Sequence, residues 1–180
     1  MNIFVLDTNP ETAAQMQCDK HIPKMILECA QMMVSALRRY GVTDEYLVDK
    51  GVVTKAGTPY KETHKNHPCT RWAGDSRYNY LWLGHHAMSL LDEYTHRYGK
   101  VHACRTPILR MWAMASIIER YTVNDELKMA TPFPQCMPDE YKGDDTVVAY
   151  QKYYHSKTFA KWEKGTPAPN WWKGLTGTVI

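Results

Sequence analysis

Several signatures of large enzyme and membrane-protein classes are missing from this chain of 180 residues. It has no apolar run of about 18 residues, the length that a membrane-spanning helix requires. It has neither a Walker-type loop nor a dinucleotide-binding glycine fingerprint, so phosphoryl transfer and hydride transfer lack their usual sequence support. A Gly-x-Ser-x-Gly elbow is missing too. We therefore predict no cofactor and no association with a membrane.

Cysteines are few and widely spaced. Their number is five, which is odd, and the positions are Cys18, Cys29, Cys69, Cys104 and Cys136. This pattern is typical of reduced thiols in a cytoplasmic protein and not of a disulfide framework.

The spacing of some cysteines and histidines is compatible with a zinc site. Cys18 and His21 together with His64 and His67 would supply the ligand set of a structural zinc site. The residues around His67 and Pro68 fit the start of a helix equally well. No metal is therefore predicted.

Apolar periodicity predicts an all-α fold, a compact single-domain helical bundle over residues 1–180. Asparagine, aspartate, threonine and proline mark helix starts, and Gly41 and Gly99 mark helix ends. The predicted helices are 10–17, 19–40 (with Asp19 as N-cap), 67–74, 75–98, 106–121 and 146–162.

Four segments lack helical periodicity. Residues 2–6 are predicted to form a short extended arm, and residues 42–66 an irregular loop or small hairpin. Residues 131–138 are rich in proline, and residues 164–180 form an irregular tail.

The charge is mildly basic, with a formal net value of +3, and it is unevenly distributed. Residues 61–110 carry eight lysines and arginines against four acidic residues, and six of the eight histidines. This segment is a candidate for binding phosphate, and a solvated helical surface is the alternative.

The densest polar pattern lies on the second predicted helix. His21, Lys24, Glu28, Gln31 and Ser35 follow one another at intervals of three or four residues and so share one helix face. In a cleft, such a carboxylate can act as general acid or base, or can stabilise a cation. On an open surface it would be an ordinary ion pair.

Aromatic and basic residues alternate near the end of the chain. Lys152, Tyr153, Tyr154 and Lys157 lie close together, and rings of this kind can stack on unpaired bases while lysines hold phosphates. The alternative is that the tyrosines form the buried face of the last helix.

Three stretches, in order, resemble the phage pyrimidine-dimer DNA glycosylases of the endonuclease V type and their short bacterial relatives. The first runs from Asp19 through Glu28 to Gln31, and it includes Lys24. The second runs from His67 to Gly99, and the third from Pro138 to Tyr154.

The resemblance implies an enzyme that cleaves the glycosidic bond of a damaged or modified pyrimidine in duplex DNA and then acts as an abasic-site lyase. In that family the N-terminal α-amine forms an imine at C1′ and a helix glutamate is essential. Glu28 matches this glutamate, His21 matches the preceding histidine, and we add Lys24 as a third catalytic candidate. The candidate DNA contacts are Lys20, Gln31, His67, Arg71, Arg77, Lys142, Lys152, Tyr153, Tyr154 and Lys157. We expect a monomer in the cytoplasm of a bacterial cell or a phage-infected host.

One position departs from the family pattern. The family exposes a small residue once Met1 is removed, whereas here residue 2 is Asn2, which disfavours that removal. The nucleophile therefore stays open between the N-terminal amine, a lysine such as Lys20 or Lys24, and water. Two other functions also stay open. One is a transferase-type phage enzyme or accessory domain acting on hypermodified thymine, and the other is a non-catalytic DNA-binding module.

Overall fold

A computed structural model describes residues 1–119 and 129–175. Among these residues helices dominate, and the only β-type pairing is an isolated antiparallel bridge between Val53 and Pro59. The helices are α1 (Pro10–Gln15), α2 (His21–Arg39), α3 (Asp44–Asp49), α4 (Pro68–Asp75), α5 (Arg77–Tyr98), α6 (Arg105–Trp112), α7 (Ala115–Glu119) and α8 (Thr146–Tyr154), with a 3₁₀ turn at Asp139–Tyr141. The predicted all-α fold is confirmed.

Helix boundaries follow from local capping chemistry. The side chain of Asn9 accepts hydrogen bonds from two amides of α1. The side chain of Ser76 accepts one from the amide of Asn79 at the start of α5. The ring nitrogen Nδ1 of His67 accepts from the amide of Cys69 at the start of α4. Gly99 ends α5 in a left-handed conformation, with φ of +63°, that costs glycine little.

The long helix α5 lies at the centre of the molecule, where it packs against α1, α2, α4 and α6. Helix α2 packs in turn against α4. The buried apolar side chains of these helices belong to one hydrophobic cluster, which also includes Ile3, Phe4, Val5 and Leu6. The N-terminal arm is therefore part of the core, where Asn2 contacts Glu28 of α2. The arm is not extended throughout, as predicted, because Phe4 has a φ of +56°.

The sequence predicts that Asp19 caps α2, but the structure shows that it does not, because its carboxylate binds elsewhere. It accepts from Arg97 Nη1 at 3.0 Å and from the amide of Glu163 at 2.7 Å. Helix α2 begins without a side-chain cap. A buried ion pair with α5 thus replaces a local cap.

The segment 42–66 is more ordered than predicted, because it contains the short helix α3, capped by Thr43. The Val53–Pro59 bridge lies in the same segment, where the small hairpin was expected.

Two predicted helices are shorter than expected. The helix predicted over 106–121 divides into α6 and α7, and Tyr121 lies outside the described residues. Helix α8 ends at Tyr154 and not at residue 162. Beyond it, the Lys161 carbonyl accepts from the amide of Asp19 at 2.9 Å, and Trp162 Nε1 donates to the Met16 carbonyl at 3.2 Å. These long-range bonds hold the chain in a non-helical path.

Among the described residues, each helix is too short or too polar to cross a bilayer.

Candidate active site

The N-terminus is held against Glu28 of α2. The amide of Asn2 donates to Glu28 Oε2 at 2.8 Å, and the Met1 ammonium nitrogen lies 3.8 Å from the same oxygen. The Met1 side chain is only 1% exposed, although the residue as a whole is partly exposed. The surface of Met1 that faces solvent is therefore its main chain, which carries the amine.

Asn2 holds this arrangement through its side chain. Its Oδ1 accepts from the amides of Ile3 and Phe4 at 2.8 and 3.0 Å, and its Nδ2 donates to the Cys136 carbonyl at 2.8 Å. Phe4 has a φ of +56°, in the left-handed region, which costs about 1–2 kcal/mol for a residue with a side chain. The bonds to Asn2 and the burial of the Phe4 ring offset this strain.

Glu28 faces cations on two sides. Lys24 Nζ lies 3.8 Å from Oε1, and the Met1 ammonium group lies near Oε2. The Glu28 side chain is 13% exposed whereas Lys24 is 65% exposed. The carboxylate is thus mostly shielded from water, while the lysine can reach a ligand in solvent. The structure therefore brings together two of the three predicted catalytic residues.

His21, the third, lies near Lys24 but not near Glu28. It precedes Glu28 by seven positions, about 10 Å along the axis of α2, and precedes Lys24 by three. Its ring is buried and stacks on Phe4 with 4.5 Å between centroids. Burial, reinforced by the neighbouring lysines, lowers the pKa of His21 to about 3. The imidazole is therefore neutral near pH 7 and supports Phe4.

Tyr154 is fully buried and offers no ring surface to DNA, which corrects its prediction as a DNA contact. Its hydroxyl accepts from the amide of Cys18 at 2.9 Å and lies 2.7 Å from His21 Nδ1. Burial also raises the pKa of Tyr154 well above its usual value. Tyr154 stabilises the core beneath the arm.

Tyr153 is half-buried and packs beside the N-terminal arm. Its ring stacks on Phe4 with 6.1 Å between centroids, and Lys157 Nζ lies 3.5 Å from its centroid. Tyr141 packs against it at 5.2 Å. This aromatic and cationic surface therefore packs on the N-terminal arm through Phe4, whose amide bonds to Asn2.

A groove lies between α2, α4 and the segment that precedes α4. A cavity of about 310 Å³ lies there, and its rim carries the cations Arg39, Lys65 and Arg71. Ser35 lines it as the last member of the predicted polar face of α2. Thr70 also lines it, and its buried hydroxyl has no hydrogen-bond partner in the described part of the chain. Glu62 also lines the groove, Arg39 pairs with Asp75, and Lys65 pairs with Glu62. The groove is therefore of mixed charge, and Arg71 and the Thr70 hydroxyl are the groups in it that suit a phosphate.

The other predicted DNA contacts are distributed around these features. His67 lies near Glu28 and the N-terminal ammonium group, and burial lowers its pKa. Lys20 lies over the Phe159 ring at 5.1 Å, and Lys142 pairs with Asp139 at 2.7 Å. Gln31 and Arg77 are half-buried on α2 and α5, and Lys152 is exposed on α8.

Sequence reasoning missed several residues of the site. The Sγ atoms of Cys69 and Cys136 lie 3.3 Å apart, although the sequence treats them as unrelated thiols. The position of Cys69, directly after His67 and Pro68, was the one available signal. The contact of Asn2 with Cys136 spans most of the chain and has no local pattern.

Fold and site together define a small all-helical protein that holds its own amino terminus against a shielded glutamate. The family model described as pyrimidine dimer DNA glycosylase matches residues 1–106, more than half of the chain. The chain belongs to this family, and a glycosylase-like function with DNA as the substrate class follows at family level. No curated protein and no solved structure matches the chain. The matched range includes Met1, Glu28, the α2–α4 groove and His67.

Proposed function

We propose that this protein cleaves the glycosidic bond of a damaged or modified pyrimidine in duplex DNA and then acts as an abasic-site lyase, with the Met1 α-amine as nucleophile. The observation that carries the proposal is the pairing of this amine with Glu28, at 3.8 Å in a mostly shielded pocket. Family membership supports the same class of reaction.

The chemistry needs one amine and one carboxylate. The ammonium group gives a proton to Glu28 or to water, and the freed nitrogen lone pair attacks C1′ of the target nucleotide. The bond from C1′ to the base breaks, and its electron pair leaves with the base, which takes up a proton. The bond between C1′ and the ring oxygen O4′ then breaks. O4′ keeps the electron pair and takes up a proton, and the nitrogen loses a proton, which gives an imine between C1′ and the amine. Glu28 stabilises the positive charge on the sugar and moves protons between these steps.

The contacts favour Met1 over Asn2 as the source of the amine. The Met1 side chain is buried, and the amide of Asn2 already donates to Glu28. A retained Met1 therefore has a free amine beside an anchored peptide bond. If Met1 were removed, the nitrogen of Asn2 would become the amine, again next to the same carboxylate.

Duplex DNA would meet two surfaces on either side of the amine. The cations of the α2–α4 groove, including Arg71, would bind backbone phosphates, and this makes affinity fall with salt. Tyr153 and Lys157 would contact the strand near the extruded nucleotide, since rings stack on unpaired bases. Extrusion costs a few kcal/mol and costs least at a damaged pair.

Borohydride trapping tests the proposal. Duplexes that carry an abasic site, a cyclobutane dimer or an oxidised thymine are incubated with the protein, and the imine is reduced to a stable adduct. The expected result is a covalent adduct that peptide mass mapping places on the Met1 α-amine. An adduct on Lys20 or Lys24 would contradict the assigned nucleophile. Release of free base without an adduct would instead indicate attack by water.

Glu28→Gln provides the matched variant, because it keeps the size of the side chain and removes its charge. It should abolish turnover and leave DNA binding in place. Loss of DNA binding together with thermal stability would mean that Glu28 is structural and would refute its role in the reaction.

A further inference from the structure

A histidine and two cysteines come together beside the N-terminus. A ring nitrogen of His67 and the Sγ atoms of Cys69 and Cys136 all lie within 4.8 Å of one another. His67 and Cys69 stand at the start of α4, whereas Cys136 belongs to the proline-rich segment before the 3₁₀ turn. Two distant parts of the chain therefore supply the group.

The spacing is close to that of a tetrahedral metal site. With zinc–sulfur bonds of about 2.3 Å, two sulfur ligands lie about 3.8 Å apart. The sulfurs of Cys69 and Cys136 lie 3.3 Å apart, so a shift of about half an ångström suffices. Rotation of the half-buried Cys136 side chain can supply such a shift.

The backbone around the group is held in place before any ion binds. The amide of Cys136 donates to the Tyr150 hydroxyl at 3.1 Å, and its carbonyl accepts from Asn2 Nδ2 at 2.8 Å. Such contacts around Cys136 raise the affinity of metal sites. His67 differs, because its Nδ1 accepts from the amide of Cys69 and a neutral imidazole has only one nitrogen lone pair, so the ring must give up this bond when it binds the ion.

We propose that His67, Cys69 and Cys136 bind a zinc ion, with a water molecule as the fourth ligand. Two thiolates and an imidazole select zinc over magnesium or calcium, which prefer oxygen. Binding would release the two thiol protons to solvent. Asn2 bonds both to the carbonyl of Cys136 and to Glu28, so this one residue would connect the zinc ligand Cys136 to the carboxylate that faces the Met1 amine.

The proposal is independent of the proposed function, because binding is measured without DNA. The full chain is treated with a chelator, kept reduced with a phosphine, and titrated with Zn²⁺ against a chromophoric chelator. Bound metal is counted by mass spectrometry, and Co²⁺ is added in a parallel sample. We expect one ion per chain and a thiolate-to-cobalt charge-transfer band.

Variants assign the ligands. Cys69→Ser and Cys136→Ser should each weaken zinc binding by more than about 100-fold, beyond the usual effect of losing a surrounding contact. Cys104→Ser is the control, because Cys104 is buried at 3% exposure and bonds to Tyr60, outside the group. Circular dichroism confirms that each variant is folded. Cys136→Ala, at the half-buried position, serves if Cys69→Ser does not fold.

Three results would overturn the proposal. One is that the reduced protein binds no more zinc than the double variant of Cys69 and Cys136. Another is a cobalt complex without the charge-transfer band. The third is that the two thiols form a disulfide on exposure to oxygen while the reduced form binds no metal, which would make the pair redox-active only.

Discussion

Replacement of Asn2 by leucine tests the geometry of the site most directly. Leucine has a similar volume and no polar atoms, and its size disfavours removal of Met1, which a small residue such as alanine would promote. The change removes three side-chain hydrogen bonds, to the amides of Ile3 and Phe4 and to the Cys136 carbonyl. The two amides are buried, since Ile3 and Phe4 are 1% and 6% exposed.

The expected loss of stability follows from these contacts. Each buried amide left without an acceptor costs about 1–3 kcal/mol, and the carbonyl bond contributes about 1 kcal/mol. Release of the arm limits the total, so we expect a loss of about 3 kcal/mol. For a chain of this size, that corresponds to a decrease of about 6–12 °C in Tm.

The effect on the proposed reaction should be larger than the effect on folding. A displacement of about 1 Å at a reacting group costs about 100-fold in rate. We therefore expect single-turnover borohydride trapping to slow by about 100-fold at a temperature where the variant is folded, with little change in DNA affinity. Intact mass must confirm that Met1 is present in both proteins.

Asn2→Asp is the matched control. It keeps the acceptor for the amides of Ile3 and Phe4, but it loses the donor to Cys136 and places a second carboxylate near Glu28, so its Tm should lie below that of the wild type. If Asn2→Leu changes neither Tm nor the trapping rate, the reasoning that Asn2 positions the amine is refuted. A lower Tm with an unchanged trapping rate would restrict Asn2 to a structural role.

Three further predictions follow from the same contacts. His21 is buried, and its pKa is lowered from 6.5 to about 3 in the folded protein. Between these two pH values the unfolded chain binds a proton at His21 and the folded chain does not, so the stability of the protein falls as the pH decreases from about 6.5 toward 3. In His21→Gln the fall in Tm between pH 6 and 4 should be shallower, and equal slopes would contradict the burial argument. Arg71→Gln should reduce by about one the slope of the logarithm of the DNA-binding constant against the logarithm of the salt concentration. Lys50→Gln is the control and should leave this slope unchanged, because Lys50 pairs with Asp49 and does not line the groove. Tyr153→Ala should weaken binding to duplexes with an extruded nucleotide more than to intact duplexes, as filter binding would measure; an equal loss for both would exclude stacking.

Much of the secondary structure could be predicted because its signals are local. Asn9 before Pro10, His67 before Pro68 and Asp145 before Thr146 cap helices through bonds to amides two or three residues away. Gly99 ends α5 for the same local reason. Such features depend on residue order alone.

Predictions failed where a distant partner competed with a local one. Asp19 had the right place for a cap, but Arg97 binds its carboxylate from 78 residues away. The pattern around Tyr154 continues past residue 157, but bonds from residues 161 and 162 to the region before α2 end the helix earlier. A stronger long-range contact overrides a weak local preference.

The candidate site divides in the same way. Helical periodicity by itself places Lys24, Glu28 and Ser35 on one face of α2, because residues three or four apart lie side by side. Only the tertiary structure brings the amine of Met1 to Glu28, buries Tyr154 and joins Cys69 to Cys136. These contacts depend on how helix faces pack and on where the N-terminal arm lies in the core. Neither the packing of helix faces nor the position of the arm can be predicted from the spacing of residues along the sequence.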